Sequence, residues 1–285
     1  RATQLGLGLL RSTMLHDDPL DFIWLGVLLE RVGQTARLLD VQYHALVAEA
    51  MKRATIDKDK HVGDPRFVDV PVDRLTGKEH ALAMADEIRA GRKADVPRFN
   101  AGGSASRDTT HVSVIDADGN CVTMTHSLGM PSGVITSGLG FMYNGCMGVF
   151  DPRPGKTGSL APGKARFSSV VPSIVFEGDR PHIVIGAPGA TQIAMGVLQV
   201  LLNAIDFGMT MVEAVSAPRF SATSNAVDVS NRIPRAVERD LVALGYEVLR
   251  NPNTFGFVAV HAIRVHPDSL DGGADPGHDG IVLAV

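Results

Sequence analysis

The amino-acid sequence predicts an α+β fold in which sheets pack against separate groups of helices. Apolar residues recur at helical spacing in the first third of the chain, whereas polar and apolar residues alternate after residue 108. A long apolar helix is then predicted over residues 191–205. The chain has 285 residues, 45% of them hydrophobic and 20% charged, which suffices for one large domain or two smaller ones. Together these observations favour a layered α+β sandwich.

Residues 1–108 are predicted to be mostly helical. Apolar positions between Ala36 and Asp57 follow the helical period, and residues 78–90 show the same pattern over a shorter length. Residues 91–108 are polar and end in a Gly/Ser-rich run, which predicts a flexible connector and the clearest boundary in the chain. Because the first residues carry neither a helix start signal nor a targeting segment, we expect a fragment or a processed piece of a longer protein.

Residues 109–285 are predicted to contain the strands. Residues 110–116 and 121–127 alternate, and the turn-forming sequence Asp116–Asn120 between them predicts a hairpin. Further strands are expected at 167–176, 181–186, 257–265 and 280–285, and helices at 191–205, from Met211 onward behind the capping pair Thr210 and Glu213, and at 233–245.

Composition disfavours several classes of function. The net charge is −4, from 27 basic and 31 acidic residues without a basic stripe, so nucleic acid is not an expected partner. Cys121 and Cys146 have no metal-ligand spacing and are expected to be buried thiols, with a single disulfide bridge as the alternative. No histidine pair matches a zinc motif. Glycine and proline interrupt the long uncharged stretches 120–150 and 181–205, so no membrane span is predicted.

The segment Asp108-Thr109-Thr110-His111 lies between the Gly/Ser-rich run and the first strand. A threonine hydroxyl is a weak nucleophile, but cleavage before it would leave an α-amine on the same residue to act as the base. The Thr109 hydroxyl is also adjacent to the Asp108 carbonyl, which it can attack to convert the amide into an ester. Taken alone, the segment is more typical of an ordinary polar strand start than of a catalytic site, and we expect His111 to be structural.

Several motifs, in a fixed order, resemble the γ-glutamyltranspeptidase family of N-terminal-nucleophile hydrolases. They are Thr109–Asp116, Asp118–Asn120, Phe167–Val175, Gly186–Ala190, Gln199–Asn203 and Ala214–Arg219, preceded by Glu49–Ala54, Gly63–Pro65 and Phe67–Pro71. The resemblance implies an αββα four-layer sandwich, incomplete here at its N-terminus. It also implies self-cleavage between Asp108 and Thr109, with residues 1–108 as the end of a large subunit that stays associated with the small subunit, residues 109–285. No metal or organic cofactor is implied.

The resemblance also assigns roles to residues near the cleavage site. Thr109 would be the nucleophile and, through its amine, the general base, and Ser127 on the returning strand would bond to it, although a strand-end serine is an equal interpretation. The N–H groups of Gly189 and Ala190 would form the oxyanion hole, with alanine replacing the second glycine of the family motif. The strand–loop–helix pattern of residues 183–192 supports this independently, because free N–H groups at a helix start converge on one point. Phosphate binding is a weaker interpretation, since no nucleotide-clamping Gly-Lys-Ser/Thr follows.

The predicted substrate-binding residues include one departure from the family pattern. Ser168 and Ser169 match the paired serines that hold a substrate carboxylate. The family binds a substrate α-amine with an asparagine, a glutamine and an aspartate, but residues 128–150 contain no acidic residue. A buried ammonium without a carboxylate is costly. Either Asp151 therefore substitutes, or the acyl end of the substrate carries no amine.

We therefore predict a self-processing amide hydrolase or acyl transferase that acts on a small-molecule amide. The first prediction is γ-glutamyl transfer or hydrolysis on glutathione-like substrates. The first alternative is a related acylase or small-amide hydrolase whose substrate lacks the α-amine. The second alternative is an unprocessed, inactive chain in which the bond between Asp108 and Thr109 stays intact.

Overall fold

The computed structural model describes residues 18–96 and 109–284, with side chains from Asp40 onward. The chain divides into two compact units, Arg1–Ala45 and Leu46–Val285, and apart from helix residues 18–45 the features below belong to the second. The helices are α1 (Asp18–His61), α2 (Val72–Thr76), α3 (Lys78–Arg89), α4 (Ile193–Ile205), α5 (Met211–Ser216) and α6 (Arg235–Ala243), with 3-10 turns at Cys146–Val149 and Ala190–Gln192. The strands are β1 (Thr109–Ile115), β2 (Cys121–Ser127), β3 (Pro131–Ile135), β4 (Met142–Asn144), β5 (Ser173–Glu177), β6 (Arg180–Gly186), β7 (Phe220–Ser221), β8 (Val227–Val229), β9 (Val248–Arg250), β10 (His261–Val265) and β11 (Leu270–Ala274).

The β1–β2 hairpin forms where the sequence predicts it. The strands are antiparallel, and Thr109 at the start of β1 is paired with Ser127 at the end of β2. The Asp116 carboxylate accepts hydrogen bonds from the N–H groups of Asp118 (3.0 Å) and Asn120 (2.8 Å), which closes the turn. This local turn chemistry fixes the register, and the register places residues 109 and 127 side by side.

A four-stranded antiparallel sheet in the order β11-β10-β6-β5 carries the core. On one face, Ile183, Ile185 and Ala262 pack against the buried faces of α4 and α5. The opposite face meets the hairpin, where the Thr123 hydroxyl donates a hydrogen bond to the Ile185 carbonyl at 3.1 Å. The hairpin that begins with Thr109 is therefore held against the central sheet.

Two of the family-like motifs have structural roles in the core. The Gln199 side-chain amide on α4 bonds both the N–H (3.1 Å) and the carbonyl (2.8 Å) of Phe220. Arg219 is buried, donates to the carbonyls of Val215 (2.6 Å) and Val258 (2.9 Å), and forms an ion pair with Asp275. These contacts join α4, β7 and the segment before β10. Each buried polar group thereby has a protein partner in place of the water that burial removes.

The upstream motif Glu49–Ala54 anchors the residues that lead to the predicted cleavage site. Arg53 donates to the Glu49 carboxylate at 2.5 Å and to the Arg92 carbonyl at 2.7 Å, and the same carboxylate accepts from the Ala94 N–H at 2.8 Å. Residues 92–96 are thereby held in place just before residues 97–108. Asp108 and most of the Gly/Ser-rich connector lie outside the described residues, as do the first 17 residues.

The fold class is confirmed as mixed helices and sheets, whereas the four-layer sandwich stays a prediction. The capping box at α5 is present, with the Thr210 hydroxyl accepting from the Glu213 N–H. Two predicted strands differ: residues 280–284 form no strand, and of the predicted stretch 167–176 only residues 173–176 lie in a strand, which continues to Glu177. No helix in the described part of the chain is both long and apolar enough to cross a membrane.

Candidate active site

Thr109 and Ser127 are in direct contact. The Thr109 hydroxyl donates a hydrogen bond to the Ser127 hydroxyl oxygen at 2.8 Å, and this oxygen also accepts from the Gly129 N–H at 2.9 Å. Both lone pairs of the Ser127 oxygen are thus used, which holds it in one position. The hairpin register therefore brings together the predicted nucleophile and its predicted hydroxyl partner.

The segment after β2 folds back beside Ser127. The Gly145 N–H bonds the carbonyls of Met130 (2.6 Å) and Leu128 (3.2 Å). Cys146 packs on Gly129 so closely that a β-carbon at position 129 would lie 2.7 Å from its sulfur. The 3-10 turn Cys146–Val149 is consequently fixed next to the end of β2.

The loop that follows β6 has the backbone strain expected of a functional turn. Gly189 has φ +145°, and a β-carbon there would lie 2.5 Å from a methyl group of Val258, so only glycine fits. Ala190 has φ +53° and is the non-glycine residue with positive φ among the described residues. Such a conformation costs about 1–3 kcal/mol and is typical of active sites and ligand-binding turns. Within the described ranges, neither of these two N–H groups donates a hydrogen bond to the protein, which suits an oxyanion hole.

A cavity of about 490 Å³ borders Thr109 and is lined, among others, by Pro188 and the histidines at 111, 261 and 278. His111 bonds the hydroxyls of Thr125 (2.8 Å) and Ser113 (2.9 Å), and its ring stacks on His261 with 6.3 Å between centroids. Burial, followed by the neighbouring His261, lowers the pKa of His111 to about 4. The His111 ring is therefore neutral, and the hydroxyls of Thr125 and Ser113 hold it in place. Because His111 lies two residues from Thr109 on β1, these contacts position that strand, in agreement with a structural role for His111.

The predicted serine pair, Ser168 and Ser169, follows a segment that is hydrogen-bonded to Asp64. The Asp64 carboxylate accepts from the Ala165 N–H at 2.7 Å, which ties the Gly63–Pro65 motif to the residues just before the pair. Ser168 is exposed and accepts from the Val170 N–H at 3.3 Å, and Ser169 is half-buried. The structure brings neither serine into hydrogen-bond contact with Thr109.

Asp151 lies at a second, larger cavity of about 960 Å³, which also contains Phe167 and Thr191 in its wall. Its carboxylate is already bound by Arg153, which donates from its side chain at 2.9 and 2.7 Å and from its backbone at 2.9 Å. These hydrogen bonds lower the pKa of Asp151 to about 2. The carboxylate is therefore charged but occupied, and an incoming ammonium would have to compete with a chelating guanidinium.

The sequence analysis did not single out the basic residues of this larger cavity. Lys58 and Lys60 at the end of α1 and Lys156 in the loop after Asp151 all line it. The Thr157 hydroxyl donates to the Lys60 carbonyl at 3.0 Å and joins the two segments. Sequence distance hid this, because 97 residues separate the joined positions. In the ranges that the structure describes, no cluster of three or more His, Cys, Asp or Glu could hold a metal.

Comparisons with known proteins give the relatives of this chain. The family profile described as Gamma-glutamyltranspeptidase matches residues 22–285. The chain is 39% identical over 246 residues to the acylase ACY 1 proenzyme of Pseudomonas sp. (strain SE83), covering 84% of this chain and 43% of that protein. It is 32% identical over 265 residues to the glutathione hydrolase proenzyme of Pseudomonas aeruginosa, covering 87% and 47%. The solved cephalosporin acylase from Bacillus halodurans is similar with a TM-score of 0.72 at 28% identity, covering 85% and 45%.

These relatives place the fold in the class of N-terminal-nucleophile hydrolases. The chain belongs to the gamma-glutamyltranspeptidase family, as the ordered motifs predict. It spans somewhat less than half the length of the curated relatives it matches.

Proposed function

We propose that this chain carries the catalytic half of a self-processing amide hydrolase or acyl transferase with Thr109 as its nucleophile. The observation that carries the proposal is the 2.8 Å hydrogen bond from the Thr109 hydroxyl to Ser127 at the first residue of a strand. The family relatives, which are named as proenzymes of both acylase and glutathione hydrolase, support the same assignment.

Self-cleavage begins at the bond between residues 108 and 109. The Thr109 hydroxyl attacks the carbonyl carbon of Asp108, the C–N bond breaks, and the acyl group moves from nitrogen to oxygen. Water then hydrolyses this ester, so that the carboxylate of residue 108 and the free α-amine of Thr109 are released. The hydrogen bond to Ser127 restricts the rotation of the Thr109 hydroxyl before cleavage.

Turnover uses the same hydroxyl with the new amine as base. The amine takes the hydroxyl proton while the oxygen attacks the substrate amide carbon, and the N–H groups of Gly189 and Ala190 stabilise the oxyanion. The protonated amine then gives the proton to the leaving nitrogen, which leaves an ester on Thr109. Water or an acceptor amine takes the acyl group and regenerates the enzyme. No metal or organic cofactor takes part in this scheme.

Within this reaction class, we favour a substrate whose acyl end lacks an α-amine over the γ-glutamyl group that was predicted first. Residues 128–150 offer no carboxylate, and Asp151 is chelated by Arg153. The 39% identity to an acylase is consistent with this choice, whereas the glutathione hydrolase relatives support the γ-glutamyl alternative.

The two products of cleavage are proposed to remain associated. Contacts between residues 46–96 and the part after residue 108 support this. The Val96 N–H donates to the Asn225 side chain at 2.7 Å, the Asn225 side chain donates to Asp95 at 2.7 Å, and Lys52 lies 5.0 Å from the ring centroid of Tyr246. These bonds do not involve the cleaved peptide and therefore survive its loss.

The test is substitution of Thr109 in the full-length protein. Thr109→Ala is expected to abolish both self-cleavage, read by intact mass, and hydrolysis of amide substrates, while Thr109→Ser keeps both because a hydroxyl remains. Thr110→Ala is the matched control, since Thr110 is exposed on the outer face of the same strand. Cleavage or turnover by the Thr109→Ala protein would contradict the proposal, and an uncut, inactive wild type would favour the inert-chain alternative. Faster turnover of a γ-glutamyl anilide than of its deaminated counterpart, glutaryl anilide, would restore the γ-glutamyl assignment.

A further inference from the structure

The strained loop at Gly189 and Ala190 needs contacts from outside the loop to keep its shape. Gly189 has φ +145° and Ala190 has φ +53°, and such conformations persist only where the surrounding structure holds them. The Gln192 N–H donates a hydrogen bond to the Gly189 carbonyl at 3.2 Å, which fixes that carbonyl but neither N–H group. The direction in which the two N–H groups point therefore depends on what packs against the loop.

The side chain of Val258 packs against the loop and against α4 at the same time. A β-carbon at position 189 would lie 2.5 Å from its Cγ2 methyl group, and the three heavy atoms nearest to that point all belong to Val258. A β-carbon at position 196, on the buried face of α4, would lie 2.2 Å from its Cγ1 methyl group. Each methyl group of this buried valine thus occupies the space that a glycine leaves open, one in the loop and one in the helix.

The backbone of Val258 is held by a buried ion pair. The Arg219 guanidinium donates a hydrogen bond to the Val258 carbonyl at 2.9 Å and pairs with the carboxylate of Asp275. Both members of the pair are buried, so water does not compete for these bonds. Valine is β-branched, and its side chain therefore has few accessible rotamers once the backbone is fixed. Together these restraints keep the Cγ2 methyl group in one position against Gly189.

We propose that Val258 is a positioning residue for the oxyanion hole. Its Cγ2 methyl group holds the loop so that the N–H groups of Gly189 and Ala190 point at the oxygen of the reacting carbonyl. Val258 acts through the loop and contributes no polar atom to the reaction. A displacement of about 1 Å in such a donor is enough to lower the rate strongly. This role rests on the proposed Thr109 reaction and goes beyond it, because it names the side chain that fixes the donors.

The experiment compares Val258→Ala with Val260→Ala in the processed full-length protein. Val260 is the matched control because it is an equally buried valine of the same core cluster. One of its methyl groups would lie 3.3 Å from a β-carbon at position 196, but it is not among the nearest neighbours of position 189. Both substitutions remove the same two methyl groups from the core, so both should lower thermal stability by similar amounts. Only Val258→Ala is expected to change catalysis.

Three measurements separate a positioning role from general damage to the site. With whichever of glutaryl and γ-glutamyl anilide turns over faster, Val258→Ala should lower kcat/KM by about 10-fold to 100-fold.

The second ligand is the matching boronic acid, in which boron replaces the amide carbonyl carbon. Boron bonds to the Thr109 oxygen while the α-amine takes the hydroxyl proton, and an oxygen on the tetrahedral boron lies where the oxyanion forms. Binding of this compound should weaken in Val258→Ala by a factor similar to the loss of kcat/KM. The third ligand has a methylene group in place of the carbonyl, and its affinity should change less than about twofold because it offers the loop no oxygen.

A double variant, Val258→Ala with Gly196→Ala, separates activity from stability. The new methyl group at position 196 fills space that Cγ1 of Val258 leaves beside α4, and alanine favours a helix more than glycine does. The double variant should therefore regain part of the thermal stability and remain slow, because position 189 still lacks its neighbour. It also carries the test if Val258→Ala alone is too unstable to purify.

Three results would overturn the proposal: recovery of wild-type kcat/KM together with stability in the double variant, unchanged kcat/KM in Val258→Ala, or an equal loss in Val260→Ala. Failure of the Thr109 reaction is a different outcome and would appear as turnover by the Thr109→Ala protein.

Discussion

Replacement of Gly186 by alanine tests how β1, the strand that begins with Thr109, is positioned. Gly186 is the last residue of β6 and faces His111 across the two sheets. A β-carbon at position 186 would lie 2.2 Å from Cε1 and 2.6 Å from Nδ1 of the His111 ring, far inside van der Waals contact. The ring cannot turn aside freely, because the hydroxyls of Thr125 and Ser113 hold its two nitrogens and His261 stacks on it. Gly186→Ala must therefore displace either the ring or the hairpin.

The cost follows from these contacts. Overpacking a filled site costs about 1–3 kcal/mol, and the two lost hydrogen bonds add about 1 kcal/mol each. We expect Gly186→Ala to lower the free energy of unfolding by roughly 3–5 kcal/mol in urea unfolding. It should also slow self-cleavage, since Thr109 lies two residues from His111 on the same face of β1.

A double-mutant cycle with His111→Ala isolates the cause. Once the ring is removed, the added methyl group has space, so Gly186→Ala should cost less than about 0.5 kcal/mol in that background. Gly158→Ala is the control, because a β-carbon there meets its nearest neighbour at 3.9 Å. Strictly additive effects of the two substitutions, or a stable Gly186→Ala protein, would refute the packing argument.

Two further predictions concern the same region. Because the pKa of His111 falls from 6.5 to about 4 on folding, the unfolded chain binds a proton first as pH falls. Stability should therefore be complete above pH 6.5 and decline toward pH 4, and His111→Gln should flatten that slope in unfolding curves; an unchanged slope would assign the pH dependence to other groups. Gly189→Ala places a β-carbon 2.5 Å from Val258 at a φ of +145°, so we expect kcat to fall about 100-fold or more, as for loss of an oxyanion donor, whereas wild-type kcat would remove this loop from the mechanism.

The hairpin and the contact at its end were predictable because their determinants are local. Strand alternation, a turn closed by Asp116, and a spacing of 18 residues are sufficient to place Thr109 beside Ser127. The capping box at Thr210 and Glu213 is local in the same way. Predictions of this kind succeed when a turn or cap decides the geometry without help from distant residues.

The last strand was assigned to the wrong residues for a tertiary reason. Residues 280–285 look like a strand because they are apolar, whereas the real partner of β10 is Leu270–Ala274, which contains two glycines. Those glycines are required: a β-carbon at 272 would meet Val282 at 2.5 Å, and one at 273 would meet the Met211 carbonyl at 2.5 Å. The glycine-rich strand forms because other segments lie directly against it, which local propensity cannot reveal.

The candidate site also combines features that local sequence determines with features that depend on distant residues. Thr109, Ser127 and the strained loop at Gly189 follow from motifs, whereas the larger cavity depends on residues about a hundred positions apart. Lys60 lies at the end of α1 and Lys156 in the loop after Asp151, and no local pattern connects them. Their common environment arises only when the Thr157 hydroxyl joins the loop to the helix end. The absence of an acidic residue from 128–150 was visible in the sequence, whereas the pairing of Asp151 with Arg153 was not.

The most direct test of the account is to trap and locate the acyl-enzyme. The processed protein is mixed with glutaryl anilide, quenched in acid and digested, and the peptide that begins at Thr109 is examined by mass spectrometry. We expect a glutaryl adduct on the Thr109 oxygen, with the α-amine of the same residue free. Hydroxylamine should remove this adduct, because the adduct is an ester. Full turnover by protein in which the Thr109 nitrogen is still joined to Asp108, or an adduct on any other residue, would contradict it.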